Sequence, residues 1–168
     1  MQQIYLAGFD VFRPDAVEQG DRLKAMCMEH GFQGLYPLDN AAPPGLTGAG
    51  LAQWICQANL GLIGQADAVM ANLNPFRGAE PDSGTVFEVG YAVALNKPVW
   101  VYTGQECSLV QQVAVNREPG LTDFVDAQGY LVEDFGLNLN LMIACSTRVV
   151  VGTAQDCLRS IRDALQQA

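Results

Sequence analysis

Short apolar runs alternating with helix-spaced segments limit what this chain can fold into more than any other feature. Ile4 to Gly8 (IYLAG), Gly34 to Leu38 (GLYPL), Ala68 to Leu73 (AVMANL), Pro98 to Thr103 (PVWVYT) and Arg148 to Val151 read as strands, the first as a parallel strand buried on both faces. Between and after them lie Asp15 to His30, Leu51 to Gln65, Asp82 to Asn96, a stretch around Leu109 to Val115, Asn138 to Thr147 and Ala154 to Gln167, which read as helices. Regular alternation of this kind predicts an α/β fold, a flavodoxin-like doubly wound sandwich with a mostly parallel five-stranded sheet. No repeat, linker or low-complexity tract divides residues 1–168, so one domain is expected.

Local signals refine the outline. Asp15 is the expected cap of the first helix, Val17, Leu23, Met26 and Cys27 its apolar stripe, and Gly31 its stop. His30, the single histidine, sits at that helix end, where the dipole favours it. Pro37 cannot donate a ladder bond, which places the second strand at an edge or strand end. Asp39 to Gly50 contains Pro43, Pro44, Gly45, Gly48 and Gly50, too many breakers for a regular element, and reads as a mobile lid. A doubly wound sheet binds its ligand outside the carboxyl ends of the strands, where strand order reverses. The segments after Leu6, Leu38 and Leu73 are therefore the ones to search.

Composition narrows the ligand. The 168 residues carry a net charge of −9 and no Lys/Arg cluster, so the electrostatic footprint of a nucleic-acid or anionic-membrane partner is missing and a small molecule is expected. Cys27, Cys56, Cys107, Cys145 and Cys157 are scattered and never spaced C-x-x-C, which argues against a disulfide framework and a zinc site and predicts buried, reduced thiols. One histidine leaves no room for His-rich metal sites and disfavours a Ser/His/Asp triad. With no charged-then-apolar opening segment and no apolar run near ~20 residues, the expected location is the cytoplasm.

Carboxylates are the remaining candidates for chemistry. From Gly84 to Leu95 (GTVFEVGYAVAL) Glu88 is the one charged residue, so the helix is expected to be buried nearly all round, with a carboxylate inside. Such a group either pairs with an arginine or reaches solvent, or it serves as nucleophile or acid/base in a cleft. Asp82 lies six residues earlier and projects to another face if both are helical. The two converge only if Asp82 sits in the loop leading into the helix, as Pro81 and Gly84 suggest. Two carboxylates in one pocket with different surroundings are the ordinary equipment of glycosidic chemistry.

These residues carry a family resemblance. IYLAG, PLDN at Pro37 to Asn40, Ala66-Asp67, NPFRGAEPDSGTVFEVGYA from Asn74 to Ala92 and LNLM from Leu139 to Met142 together resemble the nucleoside 2-deoxyribosyltransferases, in colinear order over nearly the whole chain. NPFRG-x-EPDSGT is similar to the branch found in protozoa and related bacteria. The resemblance implies exchange of the base on a 2'-deoxyribonucleoside for a free nucleobase, through a covalent deoxyribosyl ester on Glu88. It implies that Asp82 handles the proton of the departing and incoming base, that Tyr5 orients the nucleophile, and that Asp67 lies near the base. Gly8 belongs to the substrate site. Phe9 or Phe12 stacks on the base, Phe12 being preferred. Asn140 and Met142 match residues that reach a neighbouring subunit's site, the asparagine toward the 5'-hydroxyl, so a homo-oligomer with shared sites is expected. No metal or organic cofactor is implied.

Ala41 stands where the shorter branch has glutamine, so that contact to the base is lost or supplied elsewhere. Arg77 either pairs with Glu80 or binds a phosphate, Tyr91 either frames the pocket or packs, and Trp54 and Trp100 read as core or interface residues. Gly45 to Gly50 (GLTGAG) reads as plain loop, lacking the order of a phosphate cradle. Two other functions stay open: an N-glycosidase of deoxynucleosides or their 5'-monophosphates with water as acceptor, and a noncatalytic nucleotide-binding module.

Overall fold

The computed structural model describes residues 1–113 and 124–165. Strands β1 (Gln3–Gly8), β2 (Gln33–Leu35), β3 (Ala68–Asn72), β4 (Val99–Thr103) and β5 (Arg148–Val151) form one sheet in the order β2-β1-β3-β4-β5. Each of the four pairings is parallel, so the sheet is parallel throughout. The connecting helices are α1 (Ala16–Glu29), α2 (Gly48–Gln65), α3 (Ser83–Ala94), α4 (Leu109–Gln112), α5 (Leu141–Ala144) and α6 (Ala154–Leu165).

Strand alternation sorts the core into two layers. Ile4 and Leu6 point to one face, with Met70 and Trp100, against Leu23 and Cys27 of α1 and Cys157, Leu158 and Ile161 of α6. Tyr5 and Ala7 point to the other, with Val69 and Val101, against Ile63 of α2, Val89 and Ala92 of α3 and Ile143 of α5. Tyr5 and α3 therefore share a face of the sheet. The chain runs outward from β1 to β2 and then returns to β3 on the other side of β1, so strand order reverses between β1 and β3. Gly8 and Asn72 are the paired residues at the carboxyl end of that junction. A Cβ on Gly8 would stand 2.9 Å from Asn72 Cβ and 3.0 Å from Asp10 Oδ2, so only glycine fits there without a shift.

Several elements differ from the sequence reading. α3 is buried on one side only, through Thr85, Val89 and Ala92, and Phe87 is exposed on the opposite side, because small and apolar residues also clothe a face that no other described element covers. Val17 is exposed, since the buried stripe of α1 runs through Ala16, Gly20, Leu23 and Cys27. Asp15 precedes α1 without a side-chain capping bond, its carboxylate being taken by Arg13 and Arg22. The helix expected over Asn138 to Thr147 contracts to α5, with Asn140 as its cap. Of the free cysteines only Cys27 and Cys157 are buried; Cys56, Cys107 and Cys145 are exposed. Residues 114, 115, 166 and 167, the tails of two expected helices, lie outside the described residues.

Other features agree with it. Gly31 ends α1 with φ of 84°, β2 is an edge strand, and Trp100 lies at the centre of the core with the Arg148 guanidinium 4.6 Å from its ring. Lys97 Nζ donates to the carbonyls of Gly64 and Ala66, satisfying the carboxyl end of α2. No helix among the described residues is long and apolar enough to cross a membrane.

Candidate active site

Glu88 projects from α3 toward the sheet at the height of Tyr5. The Tyr5 hydroxyl donates to Glu88 Oε1 at 2.7 Å, and Asn59 Nδ2 of α2 donates to the same oxygen at 3.2 Å. Oε2 has no hydrogen bond among the described residues, and no described arginine or lysine pairs with Glu88. The structural alternative for a buried glutamate, an internal ion pair, is thus not what the fold builds.

Electrostatics follow from that geometry. Burial pushes the Glu88 carboxyl above the ordinary glutamate range, the bonds from Tyr5 and Asn59 pull it back down, and the charge of Asp82 adds to the rise. Burial, followed by the neighbouring Glu88 charge, raises Tyr5 far above the usual phenol range, so Tyr5 remains a donor at any working pH. The pair is a fixed O–H facing a carboxylate that resists ionisation.

Asp82 sits just before α3 in extended backbone, with φ of −61° and ψ of 127°. Its Oδ2 accepts from Thr85 N and Thr85 Oγ1, both at 2.8 Å, capping the helix and holding the carboxylate in place. This position in the approach to the helix lets Asp82 and Glu88 line one hollow, of about 210 Å³, with Gly8, Phe12 and Asn59 among the other walls. Phe12 lies on the single 3-10 turn Phe9–Phe12 that follows β1, and its ring is stacked 5.4 Å from that of Phe76. Phe9 stacks on Phe76 as well, at 5.0 Å, but does not line the hollow. Arg77 neither pairs with Glu80 nor stands free: its guanidinium covers the rings of Phe76 and Phe12 at 4.7 and 5.4 Å.

The fold does not bring every expected residue to Glu88. Asp67 lies ahead of β3 at the amino end of the sheet, where its carboxylate accepts from Gln3 N at 2.7 Å, away from the carboxyl ends where the hollow opens. Asn140 caps α5: its Oδ1 accepts from Met142 N and its Nδ2 donates to Glu133. Met142 is 72% exposed, and neither residue lines the Glu88 hollow of its own chain. Residues that the sequence reading missed include Asn59, one of several amides on α2 with no motif to mark it. Asp10 and Asn72 were also missed. Asp10 is buried and accepts from Asn72 Nδ2 at 2.8 Å and Gln19 Nε2 at 3.1 Å, tying the turn that carries Phe12 to the end of β3. Among the described residues no group of three or more His, Cys, Asp or Glu is placed to hold a metal ion.

Comparison with known proteins identifies the family. The family model described as nucleoside 2-deoxyribosyltransferase matches residues 4–142. A 2-desoxiribosyltransferase from Leishmania mexicana is 32% identical, with a TM-score of 0.79 over 97% of this chain and 98% of that one. An uncharacterised protein of Schizosaccharomyces pombe is 32% identical over 155 residues, 83% of this chain and 74% of the relative. A 2-deoxyribosyltransferase from Bacillus psychrosaccharolyticus, 17% identical, shares the fold with a TM-score of 0.60 over 96% of this chain and 90% of that one.

Proposed function

The chain belongs to the nucleoside 2-deoxyribosyltransferase family, and on that premise we propose that it exchanges the nucleobase of 2'-deoxyribonucleosides through a covalent ester on Glu88. The observation that carries the reading is the Glu88 carboxylate itself: desolvated, without a cation partner among the described residues, and held through Oε1 at the wall of a sugar-sized hollow. Both donors converge on one oxygen, which leaves Oε2 for the sugar.

In the first half-reaction Oε2 bonds to C1' as the glycosidic C–N bond breaks. The electron pair of that bond leaves with the base, which takes a proton from the Asp82 carboxyl. Because the sugar has no 2'-hydroxyl, the cation-like transition state is easier to reach, and the nearby carboxylate stabilises it. In the second half a free base attacks C1' through nitrogen, gives its N–H proton to Asp82, and releases Glu88 as carboxylate. Tyr5 and Asn59 hold the nucleophile in register through both halves. Phe12 offers a ring face to the base, and Gly8 leaves space for the sugar.

Asn140 and Met142 act in the site of a second copy of the chain, which accounts for an exposed methionine on α5 and for an asparagine that does not line the Glu88 hollow of its own subunit. Incubating the protein with 2'-deoxyinosine, with and without adenine, tests the reading. Adenine-dependent formation of 2'-deoxyadenosine is expected. Hypoxanthine release that ignores adenine would show water as the acceptor, and no turnover would leave a binding module.

A further inference from the structure

Asn140 is held from two sides. Its Oδ1 accepts from Met142 N at 3.0 Å, and its Nδ2 donates to Glu133 Oε1 at 2.6 Å. The other oxygen of that carboxylate, Oε2, accepts from Leu141 N at 3.0 Å. One acidic side chain therefore grips both the amide and the start of α5, and bonds to a carboxylate are stronger than bonds between neutral groups.

A carboxamide has a donor end and an acceptor end, and the neighbours of Asn140 suit only one arrangement. Turned by about 180°, Oδ1 would face the Glu133 carboxylate and Nδ2 would face the Met142 N–H. Two repulsive contacts would replace two bonds. The orientation is thus fixed, and the second Nδ2 hydrogen is left for a ligand oxygen.

Glu133 is itself anchored on both sides. The segment ahead of it folds back as a small antiparallel turn, in which Val132 N donates to Phe124 O and Asp126 Oδ1 accepts from Gln128 N and Tyr130 N. The segment behind it is tied to α4, where Leu109 N donates to Leu137 O and Gln112 Nε2 to Asn138 O. A carboxylate set between two tethered stretches holds its partner at little further cost in ordering.

We propose that Glu133 is the positioning residue for recognition of the sugar's 5'-hydroxyl: it aims the Asn140 amide of one copy at the 5'-oxygen of a deoxynucleoside bound over the Glu88 of another. The inference rests on the placement of Asn140 under the proposed function. Glutamine cannot replace Glu133, because its side chain offers one acceptor and one donor to two donors. Alanine leaves the amide free to turn.

The test compares calorimetric binding of 2'-deoxyadenosine and 2',5'-dideoxyadenosine to the full chain, without an acceptor base. The unaltered protein is expected to prefer 2'-deoxyadenosine by about tenfold. Glu133→Gln and Glu133→Ala are each expected to bring the ratio of affinities to about one, as is Asn140→Ala, with binding of the dideoxy compound little changed. Glu80→Gln removes a carboxylate that lines the same hollow as Glu133 and Asn140, and is expected to keep the preference. Thermal unfolding checks that each variant folds. A preference that survives both Glu133 substitutions but not Asn140→Ala overturns the inference and spares the placement of Asn140. A preference that survives Asn140→Ala, or is absent from the unaltered protein, overturns both. Equal loss in Glu80→Gln would trace the effect to charge in the hollow and overturn the role of the Glu133 bond. Transfer from 2'-deoxyadenosine to hypoxanthine is read separately: its absence would refute the transferase reading, while the affinity ratio would still decide the role of Glu133.

Discussion

Tyr5→Phe isolates the contribution of one hydrogen bond to the nucleophile. Tyr5 is fully buried, and its ring packs between the sheet and α3, so phenylalanine fills the same space and loses only the oxygen. What disappears is the 2.7 Å bond to Glu88 Oε1, leaving Asn59 at 3.2 Å as the remaining donor. A hydrogen bond to a charged group contributes about 1.5–3 kcal/mol, which corresponds to roughly 10- to 100-fold in rate. Two effects compose the loss. The carboxylate is less well oriented at every pH, and with one opposing bond gone its burial is less compensated, so it ionises at higher pH than in the parent protein. The expected profile of kcat against pH for 2'-deoxyinosine–adenine exchange therefore has its acid limb displaced toward alkaline pH, with part of the deficit recovered above it. Thermal unfolding is expected to move little, because a desolvated hydroxyl is removed together with its bond. An unchanged kcat and an acid limb in its original place, in a folded variant, would refute the assignment of Tyr5 as the group that keeps Glu88 ionised.

Glu88→Gln is expected to slow exchange on the order of 10⁴-fold or more, yet to raise the melting temperature at neutral pH. The folded state holds the proton of Glu88 more tightly than the unfolded chain, so the stability linked to that carboxyl is complete below the ordinary glutamate range and is lost as the pH rises through the raised folded value. Melting curves at several pH values should therefore show the parent falling relative to the variant on the alkaline side, and parallel curves would contradict the buried charge. Asp82→Asn should keep the α3 cap and the melting temperature while impairing base exchange, whereas Asp82→Ala should also cost about 1 kcal/mol of stability, as read from denaturant midpoints. Asn140→Ala should turn over poorly alone and regain activity when mixed with Glu88→Ala in verified mixed oligomers, because one intact site then forms; no rescue would argue against shared sites. Gly8→Ala should destabilise by about 1–3 kcal/mol, since its Cβ would stand 2.9 Å from that of Asn72, and urea unfolding would register the loss.

The architecture was legible because it rests on local patterns. Apolar runs too short for helices, separated by helix-spaced segments, permit little besides a parallel sheet with helices on both faces, and glycine and proline mark where the elements stop. The PDSGT and FEVGYA segments likewise place Asp82 on the approach to α3 and Glu88 within it, since capping and helical period are local properties. Only the tertiary structure could decide what surrounds that carboxylate. Tyr5 lies 83 residues from Glu88 and Asn59 29 residues away, and they meet because strand parity and the crossing of α2 and α3 aim them at one point. The same geometry removes Asp67 to the amino end of the sheet, exposes the outer side of α3, and seats Arg77 on phenyl rings instead of a carboxylate. Sequence spacing specifies which face of an element a side chain occupies; the partner across the gap depends on how separate elements pack, and no single segment contains that information.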